Sequence, residues 1–281
     1  MAESHVAPAV EVTVILPGTQ ARPWAWRELW GHRELLSFLV WRDLKVRYKQ
    51  TALGAMWAVI QPLATMVVFS IIFGRLGQMP SDGVPYPVFS YAALVPWTYF
   101  AAALGSGAAS LVGSQSLLSK VYFPRLVIPA ASVLVPLVDA AIALAMLFVL
   151  MAWYGIAPTP ALVWLPAFTA LAVAAAAGAS LWLSALNVKY RDVRYVVPFL
   201  VQFWLFVTPV IYPTSLVPAP WKAAYGLNPM ATVIEGFRWA LIGAAPPDPA
   251  MVAASVASTG VLLWAGLRYF RRMEGLFADV L

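Results

Sequence analysis

The chain has 281 residues, 62% of them hydrophobic and 11% charged, with a mean hydropathy of +0.79 and a formal net charge of +6. A soluble domain is nearer ~45–50% apolar and ~25% charged, and a disordered chain pairs low hydrophobicity with high charge, so both classes are excluded. The absence of cysteine also excludes disulfide frameworks, thiolate metal sites and a cysteine nucleophile.

What remains is a polytopic membrane protein. At roughly 20 residues per crossing plus loops, the length holds about six or seven helices and leaves no space for a large soluble domain. Residues 1–23 carry Glu3 and Glu11 around a short Val/Ala/Pro stretch. A basic segment before an apolar core would be needed for a secretory leader, so these residues read as a loosely ordered tail. Over 24–50, Trp26, Leu29, Trp30, Leu36, Val40 and Leu44 recur at helical spacing opposite Arg27, Arg33, Arg42 and Lys45. That pattern predicts an amphipathic helix in the membrane interface, or one packed on the bundle or on a soluble partner.

Six apolar runs follow, at 53–73, 88–112, 128–153, 161–186, 195–212 and 251–269. Each is long enough to cross with some tilt. In the fourth, Ala172, Ala176 and Ser180 make a ladder of small residues that lets another helix approach closely. A seventh run, 230–242, has about 13 residues, contains Glu235 and Arg238, and follows Pro213, Pro218, Pro220 and Pro229. It is too short and too charged to cross, so a re-entrant or interfacial helix is expected between the fifth and sixth spans. With both termini inside, 15 of the 18 Lys and Arg residues fall on the cytoplasmic side. This asymmetry orients the chain and explains the positive charge without nucleic acid. The expected fold is an all-α integral membrane protein of six transmembrane helices in a single domain, 24–281.

The chemistry the sequence lacks is informative. A GxxxxGK[ST] phosphate loop is missing, and the two histidines, His5 and His32, both precede the first span, so neither ATP binding nor a paired-histidine metal site is expected in this chain. Asp139 stands inside the third span. An ion-coupled secondary transporter would need it to titrate or bind a cation, whereas the plainer reading is a hydrogen bond to a neighbouring helix. Trp57, Trp97, Tyr99, Phe100, Phe203, Trp204 and Phe206 belong to an aromatic-rich set. These rings either form the interfacial belt or face inward as flat surfaces on which sugars slide.

Two compact basic and aromatic segments stand between spans, Ser119-Lys120-Val121-Tyr122-Phe123-Pro124-Arg125 and Asn187-Val188-Lys189-Tyr190-Arg191-Asp192-Val193-Arg194-Tyr195. Further words are Arg47-Tyr48-Lys49-Gln50-Thr51-Ala52-Leu53-Gly54, Leu94-Val95-Pro96-Trp97-Thr98-Tyr99-Phe100, Phe206-Val207-Thr208-Pro209-Val210-Ile211-Tyr212-Pro213, Leu227-Asn228-Pro229-Met230 and Glu235-Gly236-Phe237-Arg238. In these words, spread from about residue 30 to 272, the chain resembles the membrane-spanning subunit of bacterial type-2 ABC exporters for polysaccharides.

The resemblance implies a permease homodimer in the bacterial inner membrane, paired with two ATP-binding cassette subunits that hold ATP and Mg. No cofactor is then expected on this chain, which would not be an enzyme by itself. Lys120, Tyr122, Phe123, Pro124 and Arg125 would form one ATPase-coupling segment, and Lys189, Tyr190, Arg191, Asp192 and Arg194 the other. Segment 221–242, with Trp221, Tyr225, Asn228, Pro229, Glu235 and Arg238, would gate the extracytoplasmic mouth. The implied cargo is a lipid-linked polysaccharide, O-antigen-like first and teichoic acid or capsule next, moved through a channel between two permease copies.

Overall fold

With no water in a bilayer core to satisfy backbone polar groups, long apolar segments must bond within themselves, and here they do so as helices. The computed structural model describes residues 29–49, 54–118, 120, 123–275 and 277. The tail 1–23, the predicted helix start at 24–28, and Tyr122 lie outside the described residues. The order is α1 (Arg33–Lys49), α2 (Trp57–Phe69), α3 (Tyr86–Gly113), α4 (Gln115–Leu118), α5 (Val127–Leu134), α6 (Pro136–Trp153), α7 (Leu165–Lys189), α8 (Val193–Val207), α9 (Ala219–Tyr225), α10 (Pro229–Ile242) and α11 (Pro249–Glu274). A 3₁₀ turn, Gly54–Met56, leads into α2, which continues as a π-helical stretch over Ser70–Leu76. Another, Pro160–Trp164, leads into α7.

Five segments are long and apolar enough to cross a membrane: Gly54–Leu76, Tyr86–Gly113, Val127–Trp153, Pro160–Lys189 and Pro249–Glu274. They match five of the six predicted spans. The run at 195–212 differs, because α8 has only 15 residues and ends at Val207. Thr208 is extended (φ −96°, ψ 142°), the conformation forced on a residue that precedes proline, here Pro209. At 1.5 Å per residue α8 measures about 22 Å, short of the ~30 Å hydrocarbon core.

The centre of the bundle is α3, which is buried along most of its length and touches α2, α5, α6, α7, α8 and α10. Its neighbour α7 packs in turn on α11. Glycine makes these contacts close. A β-carbon on Gly107 would overlap the Ser180 side chain, one on Gly266 would overlap the Gly178 carbonyl oxygen, and one on Gly178 would lie 2.8 Å from the Leu263 amide nitrogen. Ala172, Ala176 and Ser180 are all buried, so the small-residue ladder is a packing seam.

Two ends of the bundle are distinct. At one, the loop before α3, the turn before α7 and the segment between α8 and α11 meet: Ser215 donates to Asp82 (2.9 Å), Tyr86 to the Ile211 carbonyl (2.8 Å) and Thr159 to the Ala240 carbonyl (2.8 Å). At the other, a second hydrophobic core joins Leu39 of α1, Phe123, Leu126, Val188, Phe270 and Phe277. Here α1 lies against α5. The apolar stripe expected over 24–50 is divided: Leu29, Leu36 and Val40 pack against this core beside Leu39, whereas Trp30 is exposed, as are Phe38 and Trp41 off the stripe. Aliphatic side chains fill the helix-helix seam, and the aromatic rings are left to the surface, where a headgroup layer suits them.

The α7–α11 seam yields a test. Gly266→Ala should cost about 1–3 kcal/mol by overpacking, read as a lower unfolding temperature and a smaller monodisperse fraction in detergent. Gly260→Ala on the same helix, with open space at its β-carbon, should leave both unchanged.

Candidate functional site

A cavity of about 540 Å³ opens between α1, α2, α3, α6 and α8. Trp57, Trp97 and Tyr99 line it together with Gln61, Thr65, Thr98, Arg47, Tyr48 and Asp139. Three of the seven rings left open between the interfacial belt and an inward face thus converge on one chamber. Trp97 and Tyr99 are nearly buried, while Trp57 is 54% exposed at the rim. Phe100 stands behind the wall, its ring 6.0 Å from that of Trp97. Phe203 and Phe206 are not among the lining residues and occupy the outer face of α8, which contributes Leu205 instead. Trp204 turns toward the far end, where its indole donates to Asn228 (3.2 Å).

Asp139, in the first turn of α6, carries the chamber's negative charge. Arg47 pairs with it at 2.5 Å, and the Tyr48 hydroxyl donates to its other oxygen. Burial, followed by the carboxylate, pushes the Tyr48 hydroxyl up to about 12, so it remains a donor at any ordinary pH. Arg47 and Tyr48 are what residue-by-residue reading missed. Their partner stands 91 positions away from Tyr48, and the one signal was their place in a word of the resemblance.

The two expected coupling segments reach the same end of the bundle but differ in what they show. Lys189, Tyr190, Arg191, Asp192 and Arg194 are exposed, with Lys189 5.0 Å over the Tyr190 ring and Arg194 4.6 Å over that of Tyr195. In the other segment Lys120 is exposed, Phe123 is buried and Pro124 is half-buried. Arg125 donates to the Glu274 carbonyl and lies 5.8 Å from the Phe277 ring centre. Phe123 and Arg125 therefore hold the end of α11, and the surface there is left to Lys120 and Pro124.

At the opposite end, α10 is buried on nearly every side against α3, α7 and α11. Asn228 caps it, accepting from the Met230 amide (3.2 Å), with Pro229 in the first turn, where a missing amide hydrogen costs nothing. Arg238 is 3% exposed and donates to the carbonyls of Phe89 (3.3 Å), Pro209 (2.7 Å), Val210 (2.8 Å) and Tyr212 (3.3 Å). Its guanidinium also lies 3.5 Å from the Phe89 ring centre. Glu235, one turn away, does not pair with it: Thr214 donates to Glu235 Oε1, and Oε2 is buried with no hydrogen-bond partner. The one-turn spacing of Glu235 and Arg238 thus marks two separate anchors. Tyr225 donates to the Val207 carbonyl (2.8 Å) and lies 2.7 Å from the Tyr212 hydroxyl, while Trp221 is exposed. Gly236 lets the Phe168 ring of α7 touch the α10 backbone. Among the described residues no cluster of His, Cys, Asp and Glu suits a metal ion.

A sequence profile of the family described as ABC-2 type transporter matches residues 34–242. The O-antigen export system permease protein RfbA of Myxococcus xanthus is 32% identical over 256 residues, which cover 90% of this chain and 97% of that protein. A Klebsiella pneumoniae protein of the same name is 28% identical over 250 residues, 88% of this chain and 95% of its own. The polysialic acid transport protein KpsM of Escherichia coli is 24% identical over 235 residues, 83% and 91% respectively.

Arg238 and Asp139 differ in what their loss should do. Arg238→Gln leaves several buried carbonyls without a donor and should lower unfolding stability by about 3 kcal/mol, read by thermal or denaturant unfolding in detergent. Asp139→Asn keeps a partner for Tyr48 but leaves Arg47 without its counter-charge, so limited proteolysis near α1 should speed up while the unfolding of the bundle changes little.

Proposed function

We propose a function that starts from one premise: the chain belongs to the ABC-2 type transporter family. It works as the membrane-spanning permease of an ATP-driven polysaccharide exporter, with an O-antigen-like, lipid-linked chain as cargo and teichoic acid or capsule as the next candidates. The observation that carries this reading is similarity over nearly the whole length to permeases named for O-antigen export.

The chamber supports the reading. Indole and phenol faces beside hydroxyls and an amide suit sugar rings, whose C–H faces stack while their hydroxyls bond to the Gln61 amide and donate to the Thr65 and Thr98 oxygens. The Arg47–Asp139 pair places charged groups at the end of α1, the helix that would admit a lipid-linked substrate. Two copies form the channel. The apolar faces of α2 and α8, largely uncovered, flank the chamber and give the second copy a place to pack. Without a phosphate loop, the chain takes its work from two ATP-binding cassette subunits that carry ATP and Mg. The exposed basic and aromatic segment from Lys189 to Arg194 is where they push, with Lys120 and Pro124 beside it. Lys and Arg asymmetry puts that end, and both termini, in the bacterial cytoplasm. The α10 end is then the outer mouth, where α9 and α10 form a re-entrant gate.

Affinity purification of the full chain from its native membrane in mild detergent should recover a stoichiometric ATPase with a phosphate loop. Recovery of the chain without such a partner would overturn the reading. In the purified complex, joint Arg191→Ala and Asp192→Ala substitution should abolish substrate stimulation of ATP hydrolysis and leave assembly intact.

A further inference from the structure

A second cavity, about 1090 Å³, lies between α5, α7 and α11, with the start of α1 at one end. Its floor is one face of α7, where Leu165, Thr169, Val173, Ala177 and Leu181 recur every fourth residue over roughly 24 Å. Thr169 turns its hydroxyl to the Leu165 carbonyl (2.9 Å), so the floor offers no free donor. The groove is an apolar slot of about the depth of one leaflet and more. Such a slot does not hold water well, and in a membrane its occupant is hydrocarbon.

The ends of the slot differ. At the α1 end stand Trp30, just before α1, Arg33 from α1 and Trp264 from α11, with Arg268 stacked 5.5 Å from the Trp264 ring centre. Neither arginine has a carboxylate partner among the described residues. At the Leu165 end the slot is lined by apolar side chains. Hydrocarbon walls, two interfacial tryptophans and two uncompensated cations at one end together match a lipid with a negative head.

We propose that this groove is a binding site for one anionic phospholipid of the bilayer, its tails laid along α7 and its phosphate held by Arg33 and Arg268. Basic pockets between membrane helices take such headgroups. The occupant is a phospholipid rather than the lipid carrier of the cargo, because Arg33 stands 14 positions before Arg47 on α1, about 21 Å along the helix. A carrier with its phosphate at Arg33 would hold its sugars away from Trp57 and Trp97. The lipid completes the packing of α1, which the protein itself holds chiefly through α5. The site does not depend on the identity of the cargo.

The test uses the full chain in mild detergent, with phosphatidylglycerol or phosphatidylcholine of the same tails added, read by native mass spectrometry and thermal unfolding. One phosphatidylglycerol should stay bound and raise the unfolding temperature under conditions that strip phosphatidylcholine. Joint Arg33→Gln and Arg268→Gln substitution should weaken phosphatidylglycerol retention about thirtyfold, since each surface cation contributes about a factor of five. Ala174→Trp, which fills the slot, should remove both lipids; if that variant does not fold, the arginine pair, both on the surface, decides the question. Equal retention of the two lipids, or unchanged phosphatidylglycerol binding in the glutamine variant, overturns the proposal. So does a lipid-free dimer that Ala174→Trp disrupts, which would make the groove an interface between copies of this chain.

Discussion

The chain unwinds between Val207 and Ala219, within a protein built of helices, and the carbonyls it frees there have to find donors. Arg238 supplies them. A buried guanidinium is expensive on its own and becomes stable when its donors are matched by acceptors, which here are main-chain oxygens of the unwound segment and of α3. A lysine would offer a point charge and three donors without the planar fork that reaches several carbonyls at once. One side chain therefore joins α3, the α8–α9 connection and α10. The placement of Asn228, Glu235 and Tyr225 presupposes that joint.

Around it, close packing by small residues does what hydrophobicity cannot do among apolar helices in lipid. Gly107 against Ser180, and Gly178 against Gly266, set α3, α7 and α11 as a tight unit. The remaining helices attach to this unit more loosely. α2 and α8 leave most of their apolar surface uncovered, and α1 rests on α5. The well-packed part carries the shape, and the loosely attached elements border the two cavities.

Much of this was legible in the sequence because a bilayer imposes a simple rule: uncharged apolar length means a crossing helix. Five helices long and apolar enough to cross follow from it directly, and so does the short, charged run that became α10. The sixth run shows where composition misleads. Residues 208–212 are as free of charge as those before them, but Pro209 and Pro213 decide the backbone, and the helix stops at Val207. Long-range pairing was not legible. A lone Asp139 in an apolar run gives no sign that its partners are Arg47 and Tyr48. Phe123 and Arg125 read as surface residues because they stand in a basic segment, and only the position of Phe277 and the α11 end explains why they turn inward. Glu235 and Arg238 stand one turn apart, but burial sent each to a different neighbour.

The length of α7 has a mechanical consequence. It is an unbroken rod of 25 residues, about 37 Å, that emerges at the exposed Lys189–Arg194 segment and, near its other end, presses Phe168 against the α10 backbone at Gly236. Stiffness over that distance makes it a lever. A tilt of about 5° about Lys189 displaces Phe168 by about 2.7 Å, roughly half the pitch of the helix it leans on. Since Gly236 leaves no side chain to cushion the contact, the displacement passes into α10 with little slack.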